Sequence, residues 1–258
     1  MRILAVPAAI LIACCIYMPL PAAADFFARQ ITRAYGGVLR LFTRRTGQAD
    51  AAPALLVFVL LMMGVFALLG AIHPLLSALL MAPAFTGLTI LPRCAAVKAE
   101  LDAGKYARDI PAYEDRVRDM CASLAPAFIR GVVCPMILCA LGMPLHLGAA
   151  LAAVYTVMCV LEDRPPFTAR FCAAAQRIGE RIFIFFMLLC CSTVGRNPLH
   201  TRGSRAQDRL LSILAISEKD ASSRAPMAGD IAQGVFLCAF SCVILCFALC
   251  AVGFVLCR

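Results

Sequence analysis

The chain has 258 residues, of which 62% are apolar and 15% charged, and its mean hydropathy is +0.87. A soluble domain carries roughly 45–50% apolar residues, so this composition supplies no polar coat for one compact soluble core and argues against a soluble enzyme. The net charge of +9 comes from 24 basic residues, 21 of them Arg, against 15 acids. The basic residues sit between apolar runs, as membrane flanks do, so no nucleic-acid partner is expected.

A membrane helix needs about 20 mostly apolar residues to cross roughly 30 Å of hydrocarbon. In chain order, Ile3 to Ala24 is the first stretch of that kind. Its Ala22-Ala23-Ala24 end also resembles a cleavable leader, but cleavage would put the Arg-rich 25–50 segment outside, so a retained helix is expected. From Phe27 to Phe42 a helical wheel gathers Phe27, Ile31, Ala34, Tyr35, Val38, Leu41 and Phe42 on one side and Arg29, Arg33, Arg40 and Arg44 on the other. That division predicts a helix lying in the headgroup plane with its guanidinium groups toward anionic lipid. Ala51 to Ile72 is a second span, and Leu75 to Leu91 a shorter one, broken at Pro83 and Gly87.

Residues 93–119 hold six basic and six acidic side chains. They read as a helical hairpin on the cytoplasmic side: a helix to Leu101, a stop at Asp102-Ala103-Gly104, and a second helix opened by Pro111 and running to Leu124. Cys121 to Gly142 and Leu145 to Leu161 are further spans. Ile182 to Val194 is an apolar run of 13 residues, too few to cross as a straight helix, and is expected to be re-entrant or interfacial. Residues 196–224 form a basic loop, expected to be a surface helix with flexible ends, with Ser222-Ser223-Arg224 a modification motif, and Ile231 to Cys257 is the terminal span.

The loops 25–50, 93–120, 162–181 and 196–224 carry 21 of the 24 basic residues. Basic loops stay cytoplasmic, which places both termini outside an inner membrane. The fold expected is an all-α polytopic transmembrane helix bundle with broken or re-entrant helices and a cytoplasmic hairpin. It divides into residues 1–50, a central membrane domain 51–161, and a reduced second half 162–258.

No Cys-x-x-Cys pair occurs among the 15 Cys, and there are three His, so neither a metal nor another cofactor is expected. Cys238, Cys242, Cys246 and Cys250 recur every four residues, a helix-packing pattern. No nucleophile, base and orienter group is visible, so an enzyme is not expected. Pro83, Gly87 and Pro92 interrupt one apolar segment, and Pro126, Gly131, Pro135, Gly142, Pro144 and Gly148 punctuate another. Interrupted membrane helices must satisfy their freed backbone groups internally or at a wet cavity, and transporters bind solute at such breaks; close helix packing is the other reading. Arg130 lies roughly 13 Å past Cys121 along a helix, either snorkelling or facing a polar solute. The hydroxyls of Thr86, Thr89, Ser123, Tyr155 and Thr156 lie near the breaks. His73 and His146 adjoin proline-marked helix ends. The solute-pathway candidates are therefore Pro83, Thr86, Gly87, Thr89, Pro92, Ser123, Pro126, Arg130 and Gly131.

Leu91-Pro92-Arg93-Cys94-Ala95, Glu100-Leu101 through Gly104, Tyr113-Glu114-Asp115-Arg116-Val117 and Ala125-Pro126-Ala127-Phe128-Ile129-Arg130-Gly131 together resemble the nucleoside-recognition or Gate domain family, most of all its sporulation integral membrane proteins. The resemblance covers residues 75–161 and implies a multi-pass inner-membrane protein contributing to solute transport, with a link to sporulation. Arg130 stands where the family commonly has a neutral residue, and residues 167–258 are shorter than the family's second half. That reduction implies a homodimer, a membrane-protein partner, or a non-transporting scaffold that recruits partners through its basic loops.

Overall fold

The computed structural model describes residues 4–46, 51–106, 109–142, 147–161, 166–191, 204–217 and 224–256. Among them regular structure is entirely helical, with no strand. In chain order the helices are α1 (Ala5–Tyr17), α2 (Ala22–Thr46), α3 (Ala51–Ile72), α4 (Pro74–Met81), α5 (Ile90–Asp102), α6 (Ile110–Phe128), α7 (Cys134–Gly142), α8 (Gly148–Val160), α9 (Pro166–Cys190), α10 (Ala206–Ile213) and α11 (Ala228–Leu256). Two 3₁₀ turns, Ala82–Ala84 and Thr86–Thr89, separate α4 from α5, and a π turn, Ile129–Val133, joins α6 to α7.

Among the described residues three helical stretches are long and apolar enough to cross a membrane: 52–72, 110–142 and 228–255. Counting each of two bent helix pairs as one span gives up to five. α3 exposes Leu56, Val57, Leu60, Leu61, Val65, Leu68 and Ile72, and α11 exposes Phe236, Val243, Phe247, Val252, Phe254 and Val255. Apolar faces of that extent have lipid as their solvent. The chain is a membrane protein built as an all-α helical bundle.

The expectation of a single first span from Ile3 to Ala24 is corrected. α1 ends at Tyr17, and the chain bends by 106° into α2. Pro19 and Pro21 explain the turn, because each removes a backbone donor and disfavours helix at the residue before it. α2 is amphipathic as expected: Arg29, Arg33, Arg40 and Arg44 are exposed while Tyr35 is fully buried, although Ala34 and Leu41 also face outward. The apolar stretch beginning at Ile182 is not an isolated dip as far as Cys190. It is the second half of α9, whose buried Thr168, Cys172, Gly179, Phe183, Met187 and Cys190 recur at three, four and seven residues opposite exposed Arg170, Arg177 and Arg181. Residues 192–194 lie outside the described residues, as do Pro144, His146, Ser222, Ser223 and, in the 196–224 loop, residues 196–203 and 218–223.

The chain divides into two compact units. The first holds residues 1–86, 134–177 and 248–258. In it α3 and α7 both pack along α8. Helices in lipid gain little from apolar burial and associate through close packing of small side chains; α8 supplies Ala149, Ala150, Ala152 and Ala153, all buried. Tyr35, Leu55, Phe58, Val157, Met158, Leu161 and Cys172 form one core, with the Tyr35 and Phe58 rings edge to face at 5.8 Å. His73 caps α4, its Nδ1 accepting from Leu75 N at 3.1 Å.

The second unit holds residues 87–133 and 178–247. Its hairpin is α5 and α6. Ala103 caps α5, and Gly104 follows at φ 76°, with Gly104 N donating to Leu101 O at 3.0 Å and Lys105 N to Glu100 O at 3.3 Å. This paired closure needs a left-handed residue, which Gly supplies without strain. Asp109 opens α6 by accepting from Ala112 N at 3.1 Å, with Pro111 in the first turn. α10 packs on α6, and its N-terminus is capped from α9, Glu180 Oε1 accepting from Ala206 N at 2.8 Å. On α11, Cys238, Cys242 and Cys246 are buried along one face with Leu237, Ser241 and Leu245.

Candidate functional site

Two helix interruptions meet in the second unit. A Cβ on Gly87, in the Thr86–Thr89 turn, would lie 2.5 Å from Ala127 O and 2.9 Å from Gly131 C. Backbone therefore passes directly over backbone, a contact that only glycine allows. On the α6 side the cause is local. Pro126 lies inside α6, and Pro135 lacks the N–H that Gly131 O would accept in a regular helix. The proline ring also crowds that carbonyl, and the π turn over Ile129–Val133 spans the defect.

The nine pathway candidates fall into separate settings. Gly131 is buried on the Gly87 side of α6 together with Leu124, Ala125 and Phe128. Ser123, Pro126 and Arg130, three and four residues apart, are exposed on the opposite face. Ser123 Oγ donates to Met120 O at 2.7 Å, within its own helix. Thr89 and Pro92 are half-buried at the start of α5, where a proline in the first turn costs no hydrogen bond.

Pro83 and Thr86 belong to the first unit. Tyr17 Oη, wholly buried, donates to Pro83 O at 3.1 Å, so the carbonyl freed by the break is satisfied from α1. Both residues also border an apolar cavity of about 300 Å³ walled by α2, α3, α4 and α8. Thr156 lines it too but donates to Ala152 O at 2.9 Å along its own helix. Tyr155 Oη, by contrast, is buried beside the thiols of Cys134 and Cys159.

Sequence reasoning missed the polar cluster that ties α6 to the start of α11. Arg224 pairs through both terminal nitrogens with Asp230, which is only 1% exposed, and Asp230 Oδ2 also accepts from Met227 N at 2.8 Å. Tyr113 Oη accepts from Ala228 N at 2.9 Å, and Arg118 Nε donates to Ile216 O at 3.2 Å while facing Glu114 and Asp115. The available signal was Asp230 in the first turn of an apolar helix, a position that favours an N-terminal cap. Tyr113→Phe removes one acceptor from a helix N-terminus. It should cost about 1 kcal/mol, read as a lower denaturation midpoint in detergent, with Arg224 and Asp230 still paired.

Among the described residues, no group of three or more His, Cys, Asp or Glu is placed to hold a metal ion. No protein-family model, curated protein or solved structure matches the chain.

Proposed function

We propose that the chain is a multi-pass inner-membrane protein of the Gate type that contributes to a solute pathway at the crossing of its two interrupted helices. The observation that carries this reading is the backbone contact of Gly87 with Ala127 and Gly131, where one segment gives way to a 3₁₀ turn and the other to a π turn. Paired interruptions are costly in lipid, and membrane proteins place them where solute binds. Arg130 sits on the π turn, exposed on the face away from Gly87, so it offers a cation to a polar or anionic solute beside the crossing and not within it. The Gate assignment and the link to sporulation rest on the short motifs quoted above.

A second reading is a non-transporting scaffold with basic cytoplasmic surfaces, favoured by the exposed arginines of α2 and by the tightness of the Gly87 crossing. Flux into liposomes, with nucleosides, small anions and metal ions as probes, separates the two. A pathway predicts flux of at least one probe, reduced roughly tenfold by Arg130→Gln when the exposed cation at membrane depth is lost. Absence of flux for every probe, with Pro126→Ala and Gly131→Ala proteins behaving as the parent in cells, overturns the pathway in favour of the scaffold.

A further inference from the structure

We propose that the cavity of the first unit is a binding site for one anionic phospholipid, with an acyl chain inside and the phosphate on Arg29 and Arg33 of α2. This goes beyond the solute pathway, sharing only Pro83 and Thr86 with its candidates. The cavity measures about 300 Å³, at the lower end of the roughly 300–1,000 Å³ of small-molecule sites, and its walls are carbon almost throughout. Phe27, Ile31, Met62, Phe66, Leu79 and Val160 give it no charged group at all. A lining of that kind fits a hydrocarbon chain and offers almost nothing to a polar solute.

The charge on α2 identifies the headgroup. Ala24, Phe27, Ala28 and Ile31 form the α2 wall of the cavity, and Arg29 and Arg33 are exposed on the same turns of that helix. Asp25 is the single acid on α2, against Arg29, Arg33, Arg40, Arg44 and Arg45. Among the described residues none of Arg29, Arg33, Arg40 and Arg44 is held in an ion pair. A helix that is apolar toward the cavity and cationic on its outer side presents both halves of an anionic amphiphile with their complements. Because α2 turns 106° away from α1, it is set across the direction of that helix, the geometry of an element lying along a membrane surface.

The full chain, reconstituted into nanodiscs of equal phosphatidylglycerol and phosphatidylcholine and released into native mass spectrometry, tests the assignment. The expected result is one retained phosphatidylglycerol per chain. Arg29→Gln and Arg33→Gln should each lower its retention over phosphatidylcholine roughly fivefold, the effect of removing one basic residue from an anionic surface. Ala153→Phe, which fills the cavity from α8, should abolish retention. Ala28→Leu fills it from the less buried α2 wall and serves if the first variant does not fold. Retention independent of headgroup and of both arginines overturns the proposal, as does undiminished retention in the cavity-filled proteins. Recovery of a free fatty acid in place of a phospholipid overturns it too.

Discussion

Gly87→Ala is expected to destabilise the protein by about 3 kcal/mol, the upper end of the usual cost of overpacking. The new methyl group would meet Ala127 O and Gly131 C, and both are backbone atoms of a helix that has already absorbed Pro126 and Pro135. Neither can rotate aside, as a side-chain tip would. Gly36→Ala is the internal comparison. A Cβ there meets nothing within 4 Å, so this substitution in the middle of α2 should stabilise by roughly 0.5–1 kcal/mol through helix propensity. Denaturation midpoints in detergent, measured on both proteins, check the contrast. Equal midpoints for the two would remove the backbone crossing from the account.

The second large effect is an asymmetry across the Arg224–Asp230 pair. Asp230 is 1% exposed, whereas the side chain of Arg224 is 39% exposed. Arg224→Ala leaves a carboxylate buried with only Met227 N as donor, while Asp230→Ala leaves a guanidinium that reaches water. Removing one partner of a buried pair costs about 3–5 kcal/mol, and an exposed one at most about 1. Arg224→Ala should therefore fall near 3 kcal/mol and Asp230→Ala clearly below it, in the range of about 1–2. The reverse order in unfolding free energies would show that the cap on α11, and not the charge pair, dominates the cluster.

Much of the helical architecture was legible because lipid imposes simple demands on composition. α3 occupies the apolar run from Ala51 to Ile72, and the charged hairpin turns at Gly104 and restarts beside Pro111, where residue chemistry specifies each step. The breaks at Pro83–Pro92 and at Pro126–Gly131 were also readable, since proline and glycine in an apolar run disturb a helix wherever they fall. What those breaks become was not readable. That Gly87 abuts Gly131, and that Ser123, Pro126 and Arg130 point away from that contact, depends on how two distant segments cross. The extent of α9 is hidden for another reason: uncharged runs mark only its second half, although its buried positions keep a helical period straight through Arg170, Arg177 and Arg181. α1 was overextended because hydropathy continues past Tyr17 while Pro19 and Pro21 end the helix. Both the Arg224–Asp230 cluster and the cavity need tertiary contacts that no local pattern encodes.

Epitope tags inserted at Gly104, between α2 and α3, and ahead of α10 probe the central claim most directly, by their accessibility in intact cells and in inside-out vesicles. Apolar helices crossing lipid, with the arginine-rich segments gathered on the cytoplasmic face, predict that all three tags are shielded in cells and reached in the vesicles. Tags distributed over both faces, or a protein that leaves the membrane fraction without detergent, would contradict it.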